Sequence, residues 1–308
     1  MHTVEAARRI ALKRILFATD FSPYSNAALP YALAIAHQYR ARLYGAHVLS
    51  SDDYLVFSPE AWPVHLQQEE QLQQEAVSRL EQQLKGLPHQ ALCGVGDVWD
   101  VLCQLIGAHD IDLLVIGSHG RTGARKLFMG SIAEKIFRQA SCPVLTVGPE
   151  VVQQQKSVAE FTRILLATNY GEESLAAASY AIALAQEHQA RLSLLHVVER
   201  PHAETAGLES NSDLLTRRLQ ELVPPDTELC SRPEYFIQLG TPAERILQFS
   251  EAAQVDLIVM GVRPIHGTVS AVTHLAHTTA QHIVAHAACP VLTVRRLSSV
   301  ATPESLCA

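Results

Sequence analysis

The sequence predicts an α/β fold of two tandem doubly wound domains, each with a five-stranded parallel sheet flanked by helices. Length, composition and an internal repeat support this prediction. The 308 residues exceed the usual size of one domain. The composition is 48% hydrophobic but only 6% aromatic, which suits buried parallel strands rich in Ala, Leu, Val and Ile.

The chain repeats itself in three ordered blocks. RILFATDFSPYSNAALPYALAIAHQYRARLYGAHV, from Arg14, aligns without a gap with RILLATNYGEESLAAASYAIALAQEHQARLSLLHV, from Arg163, and about half of the positions are identical. The block from Gly96 matches the block from Gly240, and SCPVLTV matches ACPVLTV. Ordered repetition indicates a tandem duplication. We predict domains at 1–148 and 161–297, a Gln-rich linker at 149–160 and a tail at 298–308.

Each repeat alternates strand-like and helix-like segments. After an apolar, β-prone run at Ile15–Thr19, Ser22 and Pro23 form an N-cap and first-turn pair that predicts one helix with an apolar stripe to Ala36. The other strands of the first repeat are predicted at Leu43–Leu49, Gln90–Val95, Leu113–Ile116 and Val144–Val147, and its other helices at Val64–Leu84, Val98–Ala108 and from Ser131. The second repeat predicts strands at Ile164–Thr168, Leu192–Val198, Glu234–Leu239, Leu257–Met260 and Val291–Val294. This alternation predicts right-handed crossovers and a ligand site at the carboxyl ends of the strands, where strand order reverses.

Charge and cysteine usage narrow the class of protein. A formal net charge of -7 argues against general nucleic-acid binding, which requires an excess of Lys and Arg. The six cysteines include no CxxC pair, so we expect reduced thiols and a cytoplasmic location. Neither a signal peptide nor a membrane-spanning segment of about 20 apolar residues is expected, and therefore no membrane partner.

The loop GSHGRTGARKLFMGS, residues 117–131, is the candidate ligand-binding segment of the first repeat. Gly117 and Gly120 follow an apolar strand, and Gly130 precedes Ser131-x-x-Glu134, a capping box that predicts Ser131 as the start of a helix. The unpaired N–H groups of such a helix start favour phosphate. The loop is locally basic through His119, Arg121, Arg125 and Lys126. The alternative is a surface loop whose glycines only serve turns; the spacing fits neither a Walker A loop nor GxGxxG.

The spacing Gly117-x2-Gly120-x9-Gly130-Ser131 resembles the nucleotide-binding signature of the universal stress protein family. RILFATDFS, GAHV and CPVLTV are similar to strand ends of the same family. The resemblance covers nearly the whole chain, twice.

This resemblance implies ATP, with or without Mg²⁺, at the carboxyl edge of the first sheet. Asp20 would accept hydrogen bonds from the ribose hydroxyls, while Val48 and Ile116 would border the adenine. The resemblance implies binding residues Ala18, Thr19, Asp20, Val48, Ile116, Gly117, Gly120, Gly130, Ser131 and Ile132. Charge and position add His119 and Arg121. Alternatively, Asp20 is only a helix-start carboxylate beside Ser22.

The second repeat departs from this pattern. Asn169 replaces Asp20, Pro264 replaces Gly120 and lacks an N–H group, and His277 stands in place of Gly130. We therefore expect no ATP in the second domain. His282 and His286 have a spacing that can ligate zinc, but no acidic residue or cysteine completes the set, so a solvated helix face is the preferred interpretation and no metal is predicted.

The sequence predicts a nucleotide-binding module that acts as a stress-response sensor or regulator, without catalytic residues. Two alternatives stay open: a slow ATPase and a nucleotide-free scaffold that contacts protein partners. The closing strands, Val144–Val147 and Val291–Val294, are expected to pair as an intramolecular pseudo-dimer, which would cover an apolar edge. Two chains could also form a homodimer.

Overall fold

The computed structural model describes residues 10–50, 62–118, 130–154, 161–199, 208–263 and 279–295. In the first repeat, strands and helices alternate as predicted. Its elements are β1 (Arg14–Ala18), α1 (Pro23–Asn26), α2 (Leu29–Tyr39), β2 (Arg42–Leu49), α3 (Trp62–Leu84), β3 (His89–Val95), α4 (Val98–Ala108), β4 (Leu113–Gly117), α5 (Ser131–Gln139) and β5 (Val144–Val147).

A short helix, α6 (Pro149–Gln154), occupies the first part of the segment between the repeats. The second repeat then follows the order of the first. Its elements are β6 (Arg163–Ala167), α7 (Glu172–Glu187), β7 (Arg191–Val198), α8 (Leu208–Gln220), β8 (Glu234–Leu239), α9 (Pro242–Ala252), β9 (Leu257–Gly261), α10 (Thr279–His286) and β10 (Val291–Val294).

All ten strands belong to one sheet, in the order β3-β2-β1-β4-β5-β10-β9-β6-β7-β8. Strands within each repeat pair in parallel, and β5 pairs with β10 antiparallel, with Leu145 opposite Leu292. This confirms the predicted pairing of the closing strands. In the first half, β1 pairs with β4. β2 lies on the other side of β1 and β5 lies on the other side of β4, so strand order reverses between β1 and β4.

Helices cover both faces of the sheet, which is why its central strands are largely apolar. Ile15, Leu16 and Phe17 on β1 are completely buried, as expected for a parallel strand with both faces covered. On one face, a single hydrophobic core runs through both halves and includes residues of α2 and α7. On the other face, each half has its own core.

The prediction of one helix after Ser22 is wrong, because the structure contains two helices, α1 and α2, separated at Ala27 and Ala28. Pro30 explains the break. It has no N–H group to donate to the Asn26 carbonyl, and its ring excludes that carbonyl from the helical position. Ser22 is the N-cap of α1 as predicted, and its hydroxyl accepts from the N–H of Ser25.

Most of the described cysteines are free thiols: Cys93, Cys142, Cys230 and Cys289. Burial raises the pKa of Cys142 to about 12, so this thiol stays neutral at physiological pH. Cys103 is disulfide-bonded, which departs from the expectation that all six thiols are reduced. No helix in the described ranges is long and apolar enough to cross a membrane.

Candidate functional site

A cavity of about 180 Å³ lies at the carboxyl ends of β1, β2 and β4, beside the start of α5. Strand order reverses between β1 and β4, and a doubly wound sheet offers its ligand crevice at such a point. Apolar side chains from β2, α4 and α5 form one part of the wall, and the turn after β1 forms the polar part. The cavity therefore combines an apolar wall with a small polar corner.

The structure brings together every predicted binding residue that it describes. These lining residues are Ala18, Thr19, Asp20, Val48, Ile116, Gly117, Gly130, Ser131 and Ile132. His119, Gly120 and Arg121 lie outside the described residues. That these nine residues bind a nucleotide stays a prediction, because the cavity shows only that they lie together.

Sequence reasoning missed seven further lining residues: Ser25, Ala46, Val98, Leu102, Ser118, Ala133 and Ile136. Val98 and Leu102 are four residues apart on α4, as are Ile132 and Ile136 on α5. Residues four apart share one face of a helix, so helical periodicity could have identified both pairs.

Asp20 lies in the tight turn between β1 and α1. Its Oδ1 accepts hydrogen bonds from the Ser22 N–H at 3.0 Å and from the Ser25 hydroxyl at 2.7 Å. The Thr19 hydroxyl oxygen accepts from the Phe21 N–H at 2.9 Å. The carboxylate is thus held in one orientation, and the helix-start role considered for Asp20 is present in the structure.

Phe21 has a φ of 62°, in the left-handed region that an aromatic residue rarely adopts. Its ring contacts two side chains: the His47 ring is tilted against it with centroids 4.5 Å apart, and the Arg79 guanidinium carbon lies over it at 4.2 Å from the Phe21 centroid. His47 Nδ1 lies 2.7 Å from the Thr19 carbonyl oxygen, so Nδ1 carries the proton and donates. These contacts with His47 and Arg79 support the turn in which Phe21 lies.

The second half repeats the turn without its charge. Asn169 Oδ1 accepts from the Gly171 N–H at 3.0 Å and from the Ser174 hydroxyl at 2.8 Å. Tyr170 again has a positive φ, 60°, and its ring contacts the tilted ring of His196 and the guanidinium of Arg218. An amide oxygen therefore satisfies the turn as well as a carboxylate does. It follows that the negative charge of Asp20 is not needed to build the turn.

Gly117 is required by packing as well as by the cavity. A Cβ at Gly117 would lie 2.7 Å from the Tyr24 carbonyl oxygen and 2.8 Å from Ser25 Cα. At the equivalent Gly261, a Cβ would lie 2.4 Å from the Glu173 carbonyl carbon. Since both halves bring the fourth strand this close to a helix start, Gly117 alone does not indicate a ligand.

α5 begins at Ser131 as predicted, but Ser131 is not its N-cap. Gly130, not Ser131, is the N-cap, and its carbonyl accepts from the Glu134 N–H at 2.8 Å. The Gly130 N–H donates to the Ser118 carbonyl at 2.9 Å, so the structure gives this group a protein partner instead of the predicted phosphate. Ser131 and Ile132 are then first-turn residues, whose N–H groups have no acceptor within the helix.

The histidine pair of the second half lies on α10. The rings of His282 and His286 stack with centroids 4.3 Å apart, and His286 Nδ1 lies 2.9 Å from the His282 carbonyl oxygen. Among the described residues, no three His, Cys, Asp or Glu side chains are grouped so as to hold a metal ion.

Fold and cavity together define a tandem, doubly wound α/β protein with a crevice at the switch point of its first half. The family model of the Universal stress protein family matches residues 11–148 and, a second time, residues 160–295. The chain belongs to this family and contains two of its domains in tandem.

Individual relatives match one half of the chain each. A protein of Thermus aquaticus, described as a universal stress protein in the QAH/OAS sulfhydrylase 3′ region, is 36% identical over 140 residues, which cover 44% of this chain and 99% of that protein. A universal stress protein of Methanocaldococcus jannaschii is 27% identical over 138 residues, covering 44% of this chain and 81% of that protein.

A solved structure matches both halves together. The universal stress protein of Archaeoglobus fulgidus covers 92% of this chain and 98% of its own, with a TM-score of 0.68 and 19% sequence identity. At this identity the likeness supports the tandem fold alone.

Proposed function

We propose that this universal stress protein binds ATP, alone or as its Mg²⁺ complex, in the cavity of its first domain. In the proposal it is a cytoplasmic stress-response sensor or regulator whose nucleotide state is read by partners. One observation carries the proposal: nine residues chosen from a sequence signature line one cavity at the switch point of the sheet.

The chemistry of the wall fits a nucleotide. Asp20 is a fixed acceptor for ribose hydroxyls, and the apolar side chains of Val48 and Ile116 suit the faces of a purine. The N–H groups of Ser131 and Ile132, the Ser131 hydroxyl and the positive end of the helix dipole suit phosphate oxygens. His119, Gly120 and Arg121 complete this set in the proposal.

Binding is favoured over turnover as the role of the first domain. The carboxylate of the cavity, Asp20, already accepts two hydrogen bonds through Oδ1, from Ser22 and Ser25. A general base must accept the proton of the attacking water, whereas Oδ1 of Asp20 is already engaged by the turn. We therefore assign Asp20 to ribose recognition.

Asp20→Asn tests the proposal. Asn169 makes the same turn in the second half, so the variant keeps the fold, and its melting temperature stays close to that of the wild type. Loss of hydrogen bonds to a charged acceptor costs about 1.5–3 kcal/mol, which weakens ATP binding about 10- to 100-fold. Isothermal titration calorimetry measures this loss, with Asp226→Asn, at an exposed site, as the matched control.

The stoichiometry is part of the test. We expect one ATP per chain in the wild type, because the second half has Asn169 at the position of Asp20. Two equivalent sites, or equal affinity in the wild type and Asp20→Asn, would contradict the proposed site. No binding of ATP by the wild type would favour the nucleotide-free scaffold.

A further inference from the structure

The helix that starts at the cavity, α5, also contacts the second domain. Ala133 and Ile136 line the cavity and belong to the core of the first domain. The next residue, Phe137, is 6% exposed and belongs to the core of the second domain, together with Ile283 and Val284 of α10. One helix is therefore shared between the cavity and the other half of the chain.

Hydrogen bonds from the second domain reach α5. Gln281 Nε2, on α10, donates to Glu134 Oε1 at 3.1 Å. The Arg295 guanidinium, directly after β10, donates to the Phe137 carbonyl. Glu134 is one turn from the start of α5, and Phe137 is in its last turn, so the second domain contacts the helix towards both of its ends.

Arg295 suits the end of a helix. Burial lowers its pKa to about 10, so the guanidinium remains charged at physiological pH. The last carbonyl groups of a helix have no partner within the helix and carry partial negative charge. A buried cation that donates to the Phe137 carbonyl therefore gives α5 a C-terminal cap, supplied by the other domain.

The residue of the first domain equivalent to Arg295 makes a different contact across the junction. Gly148 follows β5 as Arg295 follows β10. A Cβ at Gly148 would lie 2.6 Å from the Val284 carbonyl oxygen of α10, which leaves no room for a side chain. The first domain thus approaches α10 with backbone, while the second domain reaches α5 with a long cationic side chain.

We propose that the second domain is a support for the nucleotide site of the first domain. Gln281 and Arg295, with Phe137 inserted in the core of the second domain, are positioning residues. They hold α5 so that its first-turn N–H groups face the cavity, and none of the three lines it. This inference rests on the proposed function, and it gives the domain with the altered loop a role in binding.

Arg295→Met is the first test, since it keeps an apolar stem and removes the donor. We expect ATP, measured by titration calorimetry, to bind about tenfold more weakly, within the usual range for coupling between sites. Arg295→Lys retains a donor and recovers part of the affinity. Arg232→Met, at an exposed position before β8, is the matched control and leaves the affinity unchanged. A purely structural role would lower the melting temperature of Arg295→Met without changing its affinity for ATP at 25 °C.

Hydrogen exchange of the full chain separates this inference from the proposed function. Without nucleotide, Arg295→Met is expected to exchange its α5 amides about tenfold faster than the wild type, with α2 unchanged. With ATP, reciprocity of coupling requires slower exchange in α10 of the wild type. Unchanged α5 exchange, or unchanged affinity in a chain that binds ATP, would overturn the support role alone. Failure of the wild type to bind ATP would instead refute the proposed function, and the nucleotide part of this inference with it.

Discussion

Gly117→Ala is the substitution whose effect the structure specifies most directly. The added Cβ would meet three backbone atoms, the Tyr24 carbonyl oxygen and the Ser25 Cα and N, at 2.7–2.9 Å. These distances are up to about 0.7 Å shorter than the 3.4 Å at which ordinary contact begins. A side chain could rotate away, but the backbone at the start of α1 must move as a unit.

Such overpacking costs about 1–3 kcal/mol. We therefore expect Gly117→Ala to lower the free energy of unfolding by about that amount. Gly107→Ala is the matched control, because Gly107 is exposed on α4 and its Cβ would meet nothing within 4 Å. In a helix, alanine is more favourable than glycine by about 0.5–1 kcal/mol, so this control gains stability.

Urea unfolding followed by circular dichroism measures both changes, with the midpoint compared at constant slope. Gly261→Ala extends the test to the second half, where the equivalent Cβ would lie 2.4 Å from backbone. If packing is the reason for glycine, both Gly117→Ala and Gly261→Ala are destabilised. Wild-type stability of Gly117→Ala would refute the packing argument and leave ligand approach as the reason for this glycine.

Two further predictions concern the junction and the edge of the cavity. Leu145 in β5 is 1% exposed, so Leu145→Ala is expected to lose about 2–5 kcal/mol of unfolding free energy, measured by urea unfolding. Leu214 is 56% exposed, so the control Leu214→Ala changes the unfolding free energy by less than about 0.5 kcal/mol. The pKa of Asp97, the N-cap of α4, is held below its usual value by the Asp100 N–H and by Lys135. A carboxylate with a lowered folded-state pKa stabilises the protein above its unfolded-state pKa, and this contribution is lost as the pH falls below about 4 and through the folded-state pKa. The deficit of Asp97→Ala, about 1 kcal/mol at pH 7, should therefore shrink over that range in thermal melts, leaving the part due to hydrogen bonds that a neutral carboxyl oxygen still accepts. A deficit that stays constant down to pH 2.5 would contradict this account.

The positions of the strands were accessible from the sequence because they depend on local apolar runs. Val98–Ala108 and Val144–Val147 have the predicted bounds, and the pairing of β5 with β10 was expected from the family resemblance and the need to cover an apolar edge. Helix caps were less accessible than helix starts, since Ser131 has the capping signature and is the first residue of α5, and yet Gly130 is the N-cap. The choice depends on the hydrogen bond from Gly130 to Ser118, which a local pattern does not contain.

The parts of the site that the sequence did not reveal depend on tertiary contacts. Nothing in the residue type of Phe21 predicts a positive φ, because the conformation is supported by His47 from β2 and Arg79 from α3. Likewise, Arg295 becomes relevant to the cavity only once β10 lies beside β5. Contacts between residues distant in the chain are invisible to periodicity and spacing.

The antiparallel junction has a consequence for how the chain meets other molecules. Because β5 and β10 run in opposite directions, the carboxyl ends of β1–β5 and those of β6–β10 emerge at opposite rims of the same sheet. A protein seated over the mouth of the first crevice therefore leaves the far rim uncovered. Each rim can therefore diverge in sequence without obstructing the other.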